Sequence, residues 1–318
     1  MENMTKNFTR DLKIYYKENH ERCTHCSKPF TTGATAHLGY LSNGMHAVLC
    51  DDCSKLLKET VIKYYWMKNG FNKPNPNDKL WRYMDLAKLI SIISNNTLFF
   101  SVASSFDDPF EGAKGVIERK QDWDYFYLNF FRKAIVSVPG QIISNMTEEK
   151  IESDSRYLLK QMEDVGVKSR SNTYISCWYG NEYESEAMWK LYSKNVTNAV
   201  AIQTTAEHLY LALDRSPEID IGKIQYIDYN KRYAHINNAY WFKRKAFEYE
   251  HEVRAVITSF DNEMPGKSIP INTNTLIDRI FISPYAPKWF EEVVQSVVEK
   301  YEIKAPIQHS CIDEQPFY

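Results

Sequence analysis

The chain has 318 residues, enough for one large domain or two smaller ones with a full hydrophobic core. Its formal net charge of −2 excludes a global basic field, so any nucleic-acid contact has to come from a local patch. Met1 to His20 is polar without a secretory pattern, and no apolar run approaches the ~18 residues of a membrane span, so a cytoplasmic protein without membrane contact is expected.

Four of the six cysteines form two pairs, Cys23-Thr-His-Cys26 and Cys50-Asp-Asp-Cys53, with 23 residues between them. Cys177 and Cys311 stand alone. In a reducing compartment such pairs act as metal ligands more often than as disulfides. Each Cys-x-x-Cys turn directs two thiolates toward one ion, and two turns close a tetrahedral four-sulfur site. Thr32-Gly33 and Asn43-Gly44 are tight-turn signals, and Tyr40-Leu41 and Ala47-Val48-Leu49 are apolar pieces of a hairpin. The pattern predicts a small zinc ribbon, with structural Zn on Cys23, Cys26, Cys50 and Cys53; a redox pair is the competing reading. His25 and His46 are surplus once four thiolates fill the shell. Lys28, Lys55 and Lys58 are offset by Asp51, Asp52 and Glu59, so the ribbon is expected to be structural or to dock a protein partner. Leu56 to Lys68 predicts a helix from the spacing of Leu56, Leu57, Val61, Tyr64 and Tyr65, stopped at Asn69-Gly70. The turn-rich residues that follow set the expected domains: 1–75, ribbon plus helix, and 76–318, the main domain.

In the main domain Leu80–Met84 predicts a strand, and Asp85 an N-cap for a helix over Leu86–Ile93. Arg82 sits mid-strand among aromatics, a costly place for a guanidinium unless it faces a ligand or a carboxylate. Thr97–Ser101 is the next strand. The loop after it carries Asp107, Asp108 and Glu111, which suit either a cation or turn and capping chemistry. Trp123–Val136 has aromatics nearly all round and predicts a buried helix; Glu148–Val165 predicts an amphipathic surface helix. Further strands are expected at Tyr174–Trp178, Ala199–Gln203, Ile219–Tyr226, Leu276–Ile282 and Ile307–Ile312. Further helices follow Ser185, a capping box at Thr204–Glu207, and Pro284. The order predicts an α+β fold, a mixed or antiparallel sheet core with flanking helices. With 11 glycines and no glycine-rich loop, P-loop and Rossmann readings have no motif.

Phe247 to Arg254 alternates without a miss, setting Glu248, Glu250, Glu252 and Arg254 on one side of an expected strand. Three carboxylates in one row are unfavourable unless solvent or a cation neutralises them, which marks the stretch for chemistry. A solvated helix start with Glu248 and Glu252 at i,i+4 is the plainer alternative.

Several motifs occur together: Leu80-Trp-Arg-Tyr83; Leu98-Phe-Phe-Ser101 with Phe106-Asp-Asp-Pro-Phe-Glu111; Ile175-Ser-Cys-Trp178 with Met188-Trp-Lys-Leu-Tyr192; and Lys245 with Tyr249-Glu-His-Glu-Val-Arg254. Their order resembles the bacterial domain-of-unknown-function 2971 family over roughly residues 79 to 315. Phe247 and Asp107 stand where tryptophan and asparagine are expected. Arg82, Ser176 and Glu250-His251-Glu252 also resemble, more distantly, the Arg-Ser-Glu pattern of mono-ADP-ribosyltransferases. That resemblance implies an ADP-ribosyltransferase-like fold and NAD as substrate. Arg82 would clamp the pyrophosphate, Ser176 orient the ribose side, Glu252 stabilise the oxocarbenium-like charge, and Glu250 position or deprotonate the acceptor. Tyr83, Phe100 or Trp189 would stack on a ring, and Arg254 would join the cofactor site. The implied function is an NAD-dependent ADP-ribosyltransferase or NAD glycohydrolase, a toxin or anti-phage defence effector acting on protein or nucleic acid. One alternative is a non-enzymatic module binding nucleotide, nucleic acid or protein, docked through the ribbon. A second is a metal-dependent nuclease or hydrolase using Asp107, Asp108, Glu111, Glu250 and Glu252.

Overall fold

A computed structural model of the chain describes residues 21–31, 34–40, 46–55, 63–65, 71–136, 147–193, 195–216, 218–259 and 264–318. It divides into two compact units: residues 1–72, 108–170 and 225–245 form the first, and residues 73–107, 171–224 and 246–318 the second. Two excursions of the main domain thus group with the N-terminal residues. Among the described residues no helix is long and apolar enough to cross a membrane.

In the first unit β1 (Thr35–Tyr40) pairs antiparallel with β2 (His46–Cys50) and with β3 (Lys63–Tyr65). The last pairing corrects the helix expected over Leu56–Lys68, because Lys63–Tyr65 meets the free edge of β1, where a neighbouring strand satisfies its backbone groups. The rest of that helix lies outside the described residues, as do the turns expected at Thr32-Gly33, Asn43-Gly44 and Asn69-Gly70.

The second unit holds a nine-stranded sheet. Its strands are β4 (Lys79–Asp85), β5 (Thr97–Val102), β6 (Thr173–Gly180), β7 (Ala199–Thr205) and β8 (Ile219–Lys223). After β9 (Gln225–Ile227) and β10 (Phe242–Arg244), a parallel pair of the first unit, come β11 (Glu252–Thr258), β12 (Gly266–Pro270), β13 (Arg279–Ile282) and β14 (Ile307–His309). All pairings in the large sheet are antiparallel except β13 with β14. The fold is therefore α+β, a mixed sheet with flanking helices.

The sheet is split. β6 pairs with β11 from Thr173 to Tyr179, but on its other edge it meets β5 only at Tyr174 and Ile175 and β4 only at Tyr179 and Gly180. Ser176–Trp178 and the facing Arg82–Asp85 of β4 have no strand partner across the opening among the described residues. One sheet face packs Leu80, Met84, Phe100 and Tyr174 against helices that contribute Leu89 and Ile93, Leu209, and Phe290, Val294 and Val298. The helix residues recur at i, i+4 and i+8, the spacing of a single apolar stripe. On the other face Trp81, Tyr83, Tyr179 and Phe281 lie under Met188 and Trp189 of the helix Glu186–Tyr192.

Several boundaries differ from the sequence expectation. The strand expected at Ile219–Tyr226 breaks at Ile224, whose N–H donates to the Glu252 carbonyl. The strand expected at Leu276–Ile282 begins only at Arg279, after a helical turn over Thr273–Leu276 that Asn272 caps. Thr205, one residue beyond the expected capping box start, accepts from His208 N–H and caps the helix Ala206–Ala212. The unbroken strand from Phe247 does not form. Lys245–Glu250 is a 3-10 segment, His251 takes φ +40°, and the ladder starts at Glu252. That left-handed residue aims its carbonyl at Gly180 N–H (2.9 Å), and from Glu252 onward β6 and β8 supply partners. Glu248 is exposed, so the row of three carboxylates is absent.

In the first unit the helix Lys120–Val136 buries Trp123, Tyr127 and Phe130 against Leu159 and Tyr233. It is not buried all round as expected, because Tyr125 is 70% exposed. The helix Glu148–Asn172 runs past the expected end at Val165, with ion pairs Lys150–Asp154 (2.8 Å) and Arg156–Glu152 (2.7 Å) along its surface. His235 is buried here, and burial together with the Lys114 charge brings its imidazole down to about 3. Between pH 6.5 and 3 the unfolded chain takes up a proton that the folded chain refuses, so stability falls as pH falls through that window. Unfolding free energies from urea titrations are expected to be lower at pH 4 than at pH 7 by on the order of a few kcal/mol, and His235→Gln to flatten that slope.

Candidate functional site

The four cysteines come together. Cys23, Cys26, Cys50 and Cys53 place all their sulfurs within 4.8 Å of one another. A tetrahedral ion with Zn–S bonds near 2.3 Å sets its sulfurs roughly 3.8 Å apart; Cys26 Sγ and Cys50 Sγ are 3.7 Å apart. The group can hold a metal ion such as zinc. Cys23 and Cys26 lie on a tight turn closed by Ser27 at φ +58°, with Ser27 N–H bonded to the Cys23 carbonyl (2.9 Å). The second pair differs from the expected second turn: Cys50 ends β2, and Cys53 sits in the one-turn helix Asp51–Ser54. Burial would raise the Cys23 thiol, but hydrogen bonds from the backbone at Cys26, Cys50 and His25 bring it down to about 7, toward the thiolate a metal needs.

The second site is a cavity of about 480 Å³ in the second unit, at the split of the sheet. It brings Arg82, Tyr83, Glu250 and Glu252 together from segments far apart in the chain. Arg82 reaches from the part of β4 that pairs with β7 alone. Its Nη1 donates to Ser176 Oγ (2.5 Å), its Nη2 reaches the Phe99 carbonyl (3.4 Å), and its guanidinium lies 5.5 Å from the Trp178 ring centroid. No carboxylate pairs with Arg82 among the described residues, and burial holds it below its ordinary value. Lys88 lines the same cavity, exposed. An arginine keeps its proton, so this wall presents an uncompensated cation.

The opposing wall is acidic and internally paired. Glu252 is buried, and Arg254 grips both its oxygens, Nε to Oε1 at 2.6 Å and Nη2 to Oε2 at 3.2 Å. Arg254 is fully buried, 6.0 Å from the Phe106 ring centroid. Glu250, also buried, accepts from the Tyr192 hydroxyl (3.2 Å). Burial and the charges of Glu250 and Glu252 push Tyr192 above the ordinary phenol range, so it stays a donor.

Of the three expected ring platforms, Tyr83 lines the cavity and Phe100 and Trp189 do not. Phe100 is fully buried in the core beneath the sheet, because alternation along β5 turns its neighbour Phe99, 47% exposed, to the cavity instead. Trp189 is fully buried, edge-on to Tyr83 (4.9 Å), with Nε1 bonded to Glu184 (2.9 Å). Tyr83 keeps its hydroxyl on Ser185 N–H (2.8 Å), and Ser176 holds Arg82. Phe99, Phe106, Trp178 and Tyr192 also line the cavity and were not among the expected site residues, although all four lie in the motifs Leu98–Ser101, Phe106–Glu111, Ile175–Trp178 and Met188–Tyr192. Gly266 makes room for Phe99: a Cβ there would fall 2.1 Å from Phe99 Cζ. The buried Trp178 Nε1, on the cavity wall, has no hydrogen-bond partner among the described residues.

Among the described residues the four cysteines are the one cluster with ligand spacing, and Asp108 is engaged by Arg244 (2.7 Å). No protein-family model matches the chain, and no curated protein matches it.

Proposed function

We propose that the split-sheet cavity binds NAD and that the chain acts as an ADP-ribosyltransferase or NAD glycohydrolase. The observation that carries this reading is Arg82, an arginine without an acidic partner, lining one cavity with Glu250 and Glu252. A dinucleotide pyrophosphate is the anion that a guanidinium fork suits, and the volume lies within the range of small-ligand sites. Phe99, which is exposed to the cavity, would take the nicotinamide or adenine face. The bond from the ribose C1′ to the nicotinamide nitrogen breaks, and neutral nicotinamide leaves with the electron pair. Glu252, held rigid by Arg254, would stabilise the cationic ribose. The attacking water or acceptor forms the new bond at C1′ and loses its proton to Glu250. Arg254 would position Glu252 rather than touch the cofactor. The roles given to Arg82, Glu250 and Glu252 are those that the resemblance to Arg-Ser-Glu transferases implies. A role as toxin or defence effector belongs to the same proposal.

The test is incubation of the purified protein with NAD, with nicotinamide followed by chromatography and NAD-dependent melting temperature alongside. Release of nicotinamide supports the reading; neither release nor a thermal shift overturns it. A specific observation favours a second reading, ligand binding without turnover: Arg254 engages both oxygens of Glu252 and Tyr192 engages Glu250. A thermal shift without nicotinamide release is its expected outcome.

A further inference from the structure

The first unit has a cavity of its own, about 600 Å³, which the proposed chemistry does not use. Trp123, Met162, Tyr233 and Ile236 give it apolar walls, with the exposed Ile117 and Val167 also lining it. Gly115 lets the Tyr233 ring close on the backbone, since a Cβ there would lie 2.7 Å from Tyr233 Cδ1.

Two cations line this cavity without an acidic partner. Lys114 Nζ donates to the Ile236 carbonyl (3.1 Å), and no carboxylate pairs with it among the described residues. Among the described residues the Arg170 side chain makes no hydrogen bond or ion pair, and its Nε is buried without a partner. A buried guanidinium nitrogen with no acceptor is costly, and a bound anion would remove that cost. The carboxylates nearby do not fill the role. Glu163 is held by Lys120, Asp164 is exposed, and the buried Glu111 has interactions of its own. These three negative charges also oppose a dianion such as phosphate. A single planar carboxylate, matching a guanidinium fork and an ammonium, fits the local charge.

We propose that this cavity is a second ligand site, for an organic monocarboxylate with an apolar or aromatic body, its carboxylate on Lys114 and Arg170 and its body against Trp123 and Met162. Burial holds the Lys114 ammonium down to about 8. A bound carboxylate restores its proton, so binding near pH 9 takes up protons from buffer.

Binding of benzoate, phenylacetate and indole-3-acetate is measured by saturation-transfer NMR and calorimetry on the full chain, with benzamide and inorganic phosphate as controls. Proteins carrying Lys114→Met, Arg170→Met and Arg82→Ala are compared, each checked by circular dichroism. At least one carboxylate is expected to bind with a Kd of roughly 1 mM or tighter. Benzamide is expected not to bind. Arg170→Met and Lys114→Met should each weaken binding about tenfold or more, the effect of losing a charge-assisted hydrogen bond, while Arg82→Ala leaves it unchanged. Proton uptake at pH 9, seen as a buffer-dependent calorimetric heat, should vanish in Lys114→Met. Three results overturn the proposal: no binding by any of the carboxylates, equal binding by folded Lys114→Met and Arg170→Met proteins, or binding of phosphate alone. Loss in Arg82→Ala would place the ligand in the other cavity and overturn it too. None of these results depends on NAD turnover.

Discussion

Stripping the metal from the four-cysteine group, by a strong chelator or by Cys23→Ser, is expected to unfold β1 and β2 and the turn at Cys23–Cys26. The buried cluster around the group is small: Cys23, Leu49, Cys50 and Cys53, with Phe30 packed on it. Burying side chains of that size stabilises by ~1.5–3 kcal/mol each at most, far below the conformational entropy of ordering some 30 residues at ~1–2 kcal/mol each. Structural zinc contributes about 10–16 kcal/mol in comparable modules. Serine is a poor zinc ligand in a four-sulfur shell, and at position 23 it also weakens the acceptor that takes Cys50 N–H at 3.3 Å. Hydrogen exchange read by mass spectrometry should show residues 21–31 and 46–55 losing protection, with one zinc released per chain to a chromophoric chelator. β4, β6, β7 and β11 are expected to stay protected. Unchanged exchange after chelation would show that the cluster holds no structural metal. Loss throughout residues 79–318 would show that the N-terminal module is not an independent folding unit.

Glu252→Gln is expected to reduce nicotinamide release from NAD by about 10²–10³-fold, the usual loss when one electrostatic stabiliser of a transition state is removed, while the NAD-induced thermal shift persists. The fold does not escape the change, because the glutamine leaves Arg254 buried without its carboxylate. Breaking a buried pair costs ~3–5 kcal/mol when one partner is deleted; the amide oxygen of glutamine still accepts one hydrogen bond, so ~1–3 kcal/mol is expected here. A second substitution separates the two effects. Adding Arg254→Met to Glu252→Gln removes the orphaned charge and should recover much of the stability without restoring turnover. Recovery of turnover in the double variant would show that Glu252 acts only as the counter-ion of Arg254. Equal turnover by Glu252→Gln and the parent chain would remove Glu252 from the chemistry altogether.

Much of the second unit was legible because its signals are local. Leu80–Met84, Thr97–Ser101, Tyr174–Trp178 and Ala199–Gln203 are short, apolar and bounded by caps or turns, and each forms a strand close to its expected limits. Ser185 caps its helix by accepting from Met188 N–H, as a serine before a helical stripe should. The stretch Phe247–Arg254 folds against its local signal. Period-two alternation from Phe247 to Arg254 is a mark of a half-buried strand, but a strand also needs partners, and only from Glu252 onward do β6 and β8 provide them. His251, bent into the left-handed region, separates Glu250 from the ladder.

The candidate site divides along the same line. Arg82 was marked by its cost mid-strand, and Glu250 and Glu252 by charge crowding; all three line the cavity. Phe100 and Phe99 are one residue apart, and composition cannot tell which of two adjacent phenylalanines faces the opening. That follows from register, which β12 and β6 set. Arg254 looked like a ligand contact and is the buried counter-ion of Glu252, because β11 places both on the same side two residues apart.

By itself the sequence determined the four-thiol group, the α+β alternation and the residues whose placement needs a partner, since ligand spacing, apolar period and the cost of buried charge are written in short segments. Tertiary structure alone decided the split between β4 and β6, the choice of Phe99 over Phe100 and the pairing of Glu252 with Arg254. It also decided the second cavity, which Lys114 and Arg170, 56 positions apart in the chain, line together. Those features depend on which distant segments share a hydrogen-bond ladder or a wall, and long-range pairing leaves no periodic trace in the residues that make it.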